Sequence, residues 1–294
     1  MLGYQFTLIG HPLGHSMSPW IHERLFKLAD KTASYTLTDI APEDLNASVD
    51  ELRKLRGFNV TIPYKTDILP HLKELDEWAA RYQSVNTVAV NSDGELFGYN
   101  TDCAGFLHSV GEIPAGSKAL LIGCGGVGRM MATECFLHGA DLTIVERDLP
   151  RAQELAEELE RRFANGEFSM PEGCRKGAVR VLGEAPDEDF DLLMNATPVG
   201  MYPKVNACPV SDAVIARSGR VFDVIYNPTE TQLIRKARAL GKEAVGGSAM
   251  LVWQAAVAES IWFNTRFKPE DIWALVEEMN AEVNRLFPAE EAQA

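Results

Sequence analysis

A two-domain α/β protein is predicted, on three observations. Apolar strand-like runs alternate with amphipathic helical stretches along most of the chain, the pattern of sheets covered by helices. The length, 294 residues, suits two cores better than one. A polar linker, GEIPAGSK at 111–118, is followed by a fresh strand, Gly-rich loop and helix, which sets a domain boundary near 112.

Before the linker, Tyr4 to Ile9 reads as a strand and Ser18 to Ala29 as a helix, with Pro19 at a first-turn position. Ser34 to Thr38 is a second strand, Pro42 to Leu55 a helix and Gly57 to Thr61 a short buried strand. Asp76 to Tyr82 is helical. Val85–Asn91 and Glu95–Tyr99 flank Ser92-Asp93-Gly94, a hairpin signal. Asp102 to Val110 is helical. After the linker come a strand at 119–122, a helix at 127–138, a strand at 142–146 and a helix at 150–163. Residues 164–176 read as a surface excursion. Strands follow at 179–182, 192–195, 221–224 and 243–245, and long helices at 249–263 and 269–286, before an acidic, Ala-rich tail after Pro288.

Composition excludes several classes of function. A net charge of −14 argues against a general nucleic-acid or anionic-membrane surface. No apolar run reaches membrane-spanning length, and the N-terminus lacks the pattern of an export signal, so a cytoplasmic protein is expected. The cysteines, 103, 124, 135, 174 and 208, form neither a disulfide framework nor a zinc-binding spacing. His11, His15, His22, His71, His108 and His138 show no ligand spacing either, so no metal site is expected; His15 beside Ser16 is placed to shape a pocket.

Gly123, Gly125 and Gly128 form G-x-G-x-x-G between an apolar strand and a helix, with a second strand, LTIVE, beyond. In that context the pattern is a Rossmann dinucleotide fingerprint. The first glycine turns the chain, the second admits the pyrophosphate, and the third lets the helix pack closely. With Gly126 and Val127, these residues present a helix N-terminus to the phosphates. Glu146 ends the second strand, where an acid accepts from a ribose 2′-hydroxyl and repels a 2′-phosphate, which favours NAD over NADP. Arg147 is either a partner for that phosphate or a solvated surface charge.

Four polar clusters precede the linker: GHPLGHSMSPWIH (10–22), GFNVTIPYK (57–65), VNT (85–87) and GYNTDCAGF (98–106). Small polar residues at loops beside strand ends are the makings of a ligand crevice. Together with GCGGVGR (123–129), NATPVGM (195–201), DVIYNPTET (223–231) and GGSAMLVWQAA (246–256), they resemble the shikimate dehydrogenase family over nearly the whole chain, in the same order.

The resemblance implies an N-terminal substrate domain at 1–112, completed by C-terminal helices at 248–294, a Rossmann domain at 113–247, and a deep cleft between them. It implies reversible reduction of 3-dehydroshikimate to shikimate with NAD or NADP, by Lys65 and Asp102 as the reacting pair. Chemistry agrees: reducing a ketone needs a proton donor at oxygen, and a lysine oriented by a carboxylate supplies one. Taken alone, Lys65 would be a solvated lysine after a proline turn and Asp102 a helix N-cap.

Ser16 and Ser18 match the residues that hold the substrate carboxylate, although Ser18 also suits a helix cap. Thr61, Asn86 and Gln254 match those that bind ring hydroxyls, Tyr226 a substrate-contacting tyrosine, and Thr197 and Gly247 cofactor-side positions. The family's usual Asn-Arg-Thr phosphate clamp reads Glu146-Arg147-Asp148 here, and the Asn usual after the motif histidine is Glu23. The expected partner is thus a small-molecule substrate, with no nucleic acid or membrane, and the chain a monomer or homodimer. The rivals are an NAD-dependent quinate/shikimate dehydrogenase and a non-catalytic NAD-responsive binding protein; the presence of both Lys65 and Asp102 argues against the second.

Overall fold

A computed structural model describes residues 3–14, 16–168 and 175–288. His15, Cys174, part of the 164–176 excursion and the tail after Pro288 lie outside the described residues. The chain divides into two compact units, Met1–Gly105 with Leu251–Val276, and Phe106–Met250 with Glu277–Ala294. The first division falls in a helix rather than in the 111–118 linker. The reason lies in the second unit, where Phe106 meets Phe222 edge-on at 5.7 Å and Arg220 donates to the carbonyls of Val110 and Glu112.

In the first unit the order is β1 (Tyr4–Gly10), α1 (Ser18–Leu28), β2 (Ala33–Asp39), α2 (Leu45–Leu52), β3 (Gly57–Val60), β4 (Glu74–Leu75), α3 (Glu77–Tyr82), β5 (Thr87–Val90), β6 (Leu96–Tyr99) and α4 (Thr101–Val110). The sheet runs β2-β1-β3-β5-β6-β4. β1 pairs parallel with β2 and β3, whereas β5 runs antiparallel to β3 and β6. The predicted hairpin joins β5 and β6: Asn91 Oδ1 accepts from the N–H groups of Asp93 and Glu95. The helix expected over 42–55 is shorter, because Pro42–Asp44 forms a tight 3-10 turn before α2.

Side chains on β1 alternate between two cores, as the two-residue period of a strand requires. Phe6 and Leu8 join Phe26, Tyr35, Ala258 and Trp262, while Ile9 joins Val49, Phe58, Tyr64 and Val88. Phe6 stacks on Trp262 with centroids 4.4 Å apart. Truncating either ring would cost about 3–5 kcal/mol.

The second unit contains β7 (Lys118–Ile122), α5 (Gly126–Leu137), β8 (Asp141–Val145), α6 (Leu149–Ala164), β9 (Val179–Leu182), β10 (Phe190–Asn195), α7 (Asp212–Ala216), β11 (Ser218–Asp223), α8 (Gln232–Ala239) and β12 (Glu243–Val245). α9 (Gly247–Phe263) and α10 (Pro269–Leu286) follow, each shared between the units as divided above. The sheet is wholly parallel, β9-β8-β7-β10-β11-β12, the doubly wound order in which the chain reverses direction beside β7. Its central strands β7, β8 and β10 are mostly buried runs, as befits the middle of a parallel sheet. α6 buries Ala152, Leu155, Ala156 and Leu159, one face at helical spacing, and is capped by Asp148, which accepts from Arg151 N–H. Glu146, expected as the last residue of a strand, stands one residue beyond β8. Among the described residues no helix is long and apolar enough to cross a membrane.

Candidate active site

In the first unit, the loop after β3 carries Thr61 and Lys65, and the first turn of α4 carries Asp102. The loop is held by backbone bonds from Thr61 N–H to the Ile9 carbonyl and from Val85 N–H to the Lys65 carbonyl. Buried Tyr64 anchors it to the carbonyl of Ile40. Lys65 Nζ lies 2.6 Å from Asp102 Oδ2, with side chains 28% and 21% exposed, so the pair is reachable yet largely shielded.

Asn86 is the hub of the arrangement. Its Oδ1 accepts from Thr101 N–H at 2.7 Å, capping α4 from outside that helix. Its Nδ2 donates to Asp102 Oδ1 at 2.9 Å and to Thr101 Oγ1 at 3.0 Å, with Gln254 Oε1 at 3.4 Å. Behind it, Asn59 Nδ2 donates to the Asn86 carbonyl and to Thr87 Oγ1, which is bonded to Thr101 Oγ1. The reading of Asp102 as an N-cap is therefore corrected: Asn86 supplies the cap, and Asp102 turns both oxygens to Asn86 and Lys65.

The reading of Ser18 as a cap is corrected too. α1 begins at Ser18 with Met17 at the cap position and no side-chain cap bond. Ser16 Oγ accepts from Ser18 N–H at 3.2 Å instead, leaving the Ser18 hydroxyl outside the capping scheme. Thr61 is half-buried at the mouth of its loop.

In the second unit, the Gly-rich loop behaves as the fingerprint predicts. Gly123 has φ +89°, and a Cβ there would meet Thr197 Cγ2 at 2.5 Å. A Cβ on Gly128 would lie 2.3 Å from the Gly123 carbonyl oxygen, so only glycine lets α5 pack so near. A Cβ on Gly125 would touch only Arg151 Nη2, at 3.9 Å, and one on Gly126 would meet nothing within 4 Å. A groove of about 710 Å³ opens at the strand ends between β7 and β10, the switch point of the sheet. It is lined by Gly123, Gly125, Glu146, Arg147, Arg151 and Thr197, among others.

Glu146 is fixed in that groove. Its carboxylate accepts from the N–H groups of Cys124 at 3.1 Å, Arg147 at 2.8 Å and Asp148 at 3.3 Å. Burial pushes its carboxyl up, but these donors outweigh that and hold it below the usual carboxylate range. Thr197 is held by Asn195 Oδ1, and Asn195 Nδ2 in turn donates to Asp223. Burial pushes Asp223 up to about 6, against donors on Thr231, Ile225 and Asn195. Tyr226 is half-buried, and burial raises its phenol. Gly247 lies against the Val224 carbonyl, which a Cβ would meet at 2.0 Å.

Arg151 escaped the sequence reading, although its place four residues after Arg147, in the first turn of α6, was a usable signal. Asn59, Thr87 and Thr101 were also missed, though each lies in a quoted motif. Among the described residues no group of three or more His, Cys, Asp or Glu side chains is arranged to hold a metal ion.

Residues 8–88 match the model of the shikimate dehydrogenase substrate binding domain. A shikimate dehydrogenase (NADP(+)) of Caldanaerobacter subterraneus subsp. tengcongensis is 38% identical over 275 residues, covering 91% of this chain and 94% of that one. The chain belongs to the shikimate dehydrogenase family. Among solved family members, the Thermus thermophilus enzyme in complex with NADP(H) and shikimate superposes with a TM-score of 0.77 at 31% identity, covering 94% and 99% of the two chains. The Listeria monocytogenes enzyme in complex with shikimate and NAD gives 0.76 at 28% identity, covering 93% and 96%.

Proposed function

We propose that this chain catalyses the reversible, nicotinamide-dependent reduction of 3-dehydroshikimate to shikimate, a step in aromatic amino-acid biosynthesis. The observation that carries this reading is the Lys65–Asp102 contact at 2.6 Å, with Asn86 on the other carboxylate oxygen. Lys65 delivers a proton from Nζ to the carbonyl oxygen as it gains charge, and takes it back in the oxidative direction. Asp102 aims the ammonium and accepts from a substrate hydroxyl. Asn86, Thr61 and Gln254 hold ring hydroxyls, each able to donate and accept. Ser16 and Ser18 hold the carboxylate, and Tyr226 contributes a further substrate contact.

The Gly123–Gly128 cradle and its groove fit a dinucleotide, held by Gly123, Gly125, Gly126, Val127, Gly128, Thr197 and Gly247; when bound, it supplies or accepts the hydride. We infer that NAD is favoured over NADP, because Glu146 keeps a fixed negative charge where a 2′-phosphate would come. Arg147 and Arg151, lining the same groove, soften that preference.

Initial rates with NAD and NADP against shikimate and quinate test all of this at once. The expected order is shikimate over quinate and NAD over NADP. Faster quinate oxidation overturns the substrate, faster NADP reduction overturns the reading of Glu146, and no turnover with either substrate overturns the function.

A further inference from the structure

The aromatic core of the first unit contains two titratable side chains that the reaction does not use. His22 lies on α1, four residues after Ser18, and Glu259 on α9, five residues after Gln254. Both side chains are fully buried, with His22 Nδ1 2.9 Å from Glu259 Oε1. Aromatic rings surround them, Trp262 at 5.4 Å and Phe26 at 6.1 Å from the imidazole. The imidazole also stacks on Tyr35 at 4.1 Å and 8°. The Tyr35 hydroxyl donates to Asn59 Oδ1 at 2.6 Å, and Asn59 holds the Asn86 carbonyl. One buried cluster thus connects the elements that carry Ser18, Gln254 and Asn86.

Packing alone does not account for such a pair. Apolar side chains of similar volume would fill the same space without the cost of desolvation, and exchanges of that kind are often neutral or stabilising. Burial pushes the imidazole down to about 3, with Asn59 opposing it, and pushes the carboxyl up to about 9. Both groups are therefore uncharged at neutral pH. What the pair adds over an apolar contact is direction: a hydrogen bond fixes one register of α1 against α9, where apolar surfaces would accept several.

We propose that His22, Glu259 and Tyr35 are positioning residues that lock the Ser18 turn of α1 and the Gln254 turn of α9 to the Asn86–Asp102 end of the substrate site. This rests on the proposed function, through the roles given there to Ser18 and Gln254. Those residues hold groups that do not react, so loosening them weakens ground state and transition state alike and appears in KM.

The test compares wild type, Glu259→Gln, Glu259→Leu and Tyr35→Phe by melting temperature and by kcat and KM for shikimate. Glu259→Leu leaves the buried imidazole without its partner and is expected to melt below the wild-type temperature, and to raise KM about tenfold with kcat within about threefold. Glu259→Gln keeps a polar partner for the imidazole and is expected to restore KM to within about twofold. An unchanged KM in folded Glu259→Leu overturns the proposal, as does a Gln variant no better than the Leu one. Should Glu259→Leu fail to fold, Tyr35→Phe decides, since it keeps the ring on His22 and removes only the hydroxyl that joins Asn59 and Ser18. A fall in its kcat/KM of about fivefold or more supports the proposal, and a smaller change overturns it. Wild-type protein that does not turn over shikimate is a separate failure, that of the proposed function, and shows before any variant is made.

Discussion

Glu259 makes the stability of the first unit depend on pH in the direction opposite to that of a salt-bridged carboxylate. Its carboxyl is pushed from 4.5 to about 9 by burial. Between those values the folded state binds more protons than the unfolded one, so stability falls as pH rises. Its contribution is fully present below 4.5 and is lost as pH climbs through about 9. His22 has the reverse effect: its value drops from 6.5 to about 3, so its contribution is complete above 6.5 and is lost as pH falls toward 3. Above 6.5, then, Glu259 is the member of the pair still changing. At about 1.4 kcal/mol per pH unit, wild type loses about 3 kcal/mol through this one group between pH 6.5 and about 8.5. Glu259→Gln has nothing to titrate and keeps that stability. All five tryptophans, Trp20, Trp78, Trp253, Trp262 and Trp273, lie in this unit, so urea melts followed by tryptophan fluorescence report on it. The gap between variant and wild type should widen by about 3 kcal/mol over that interval. Parallel pH profiles would refute the reasoning, because they require a folded pair that holds no extra proton, an ionised carboxylate facing a neutral imidazole, across the interval.

Three further outcomes follow from the two sites. Lys65→Ala should lower kcat by about 10²–10⁴-fold while the dissociation constant for the dinucleotide holds; near-normal turnover would remove Lys65 from the chemistry. Gly128→Ala places a methyl group 2.3 Å from the Gly123 carbonyl oxygen, so the Gly-rich loop must shift. A loss of about 1–3 kcal/mol in stability and a raised KM for the dinucleotide are expected, measured by urea melts and initial rates. Glu146→Gln removes one negative charge beside Arg147 and Arg151 and should move the NADP-to-NAD ratio of kcat/KM toward NADP by about tenfold; an unmoved ratio would show that this charge does not select the cofactor.

The fold was legible wherever the periodicity was long. α10 falls at the residues the pattern marks, and α5, α6 and α9 within one or two. What escaped was short: β4 has two residues and α7 five, too few for a period to show. α8 has eight residues, of which only Leu233, Ile234 and Ala237 are buried, so its sequence reads as a polar connection. The site was legible as a set of motifs but not as a geometry. Asp102 reads locally as a cap because an Asp at the start of a helix usually is one. Only the return of the chain through β5 brings Asn86 to take that duty. His22 and Glu259 stand 237 residues apart, and neither carries a local sign of the other.

Those reassigned caps free the side chains of Ser18 and Asp102 from serving helix N–H groups. A helix start needs acceptors, and a Ser or Asp in the first turn ordinarily spends its oxygen on that need. Here Ser16 serves Ser18 N–H and Asn86 serves Thr101 N–H, so the Ser18 hydroxyl and the Asp102 carboxylate are released from capping. Asp102 is then free to spend one oxygen on Lys65 and the other on Asn86. Thr87 and Asn59 keep Asn86 and Thr101 in register from behind. Substrate hydroxyls would therefore enter a network already oriented before binding, and little reorganisation would remain to be done as charge develops on the carbonyl oxygen. On this account the polar residues deepest in the unit matter to the reaction as much as those at its surface, because they set where the surface ones point.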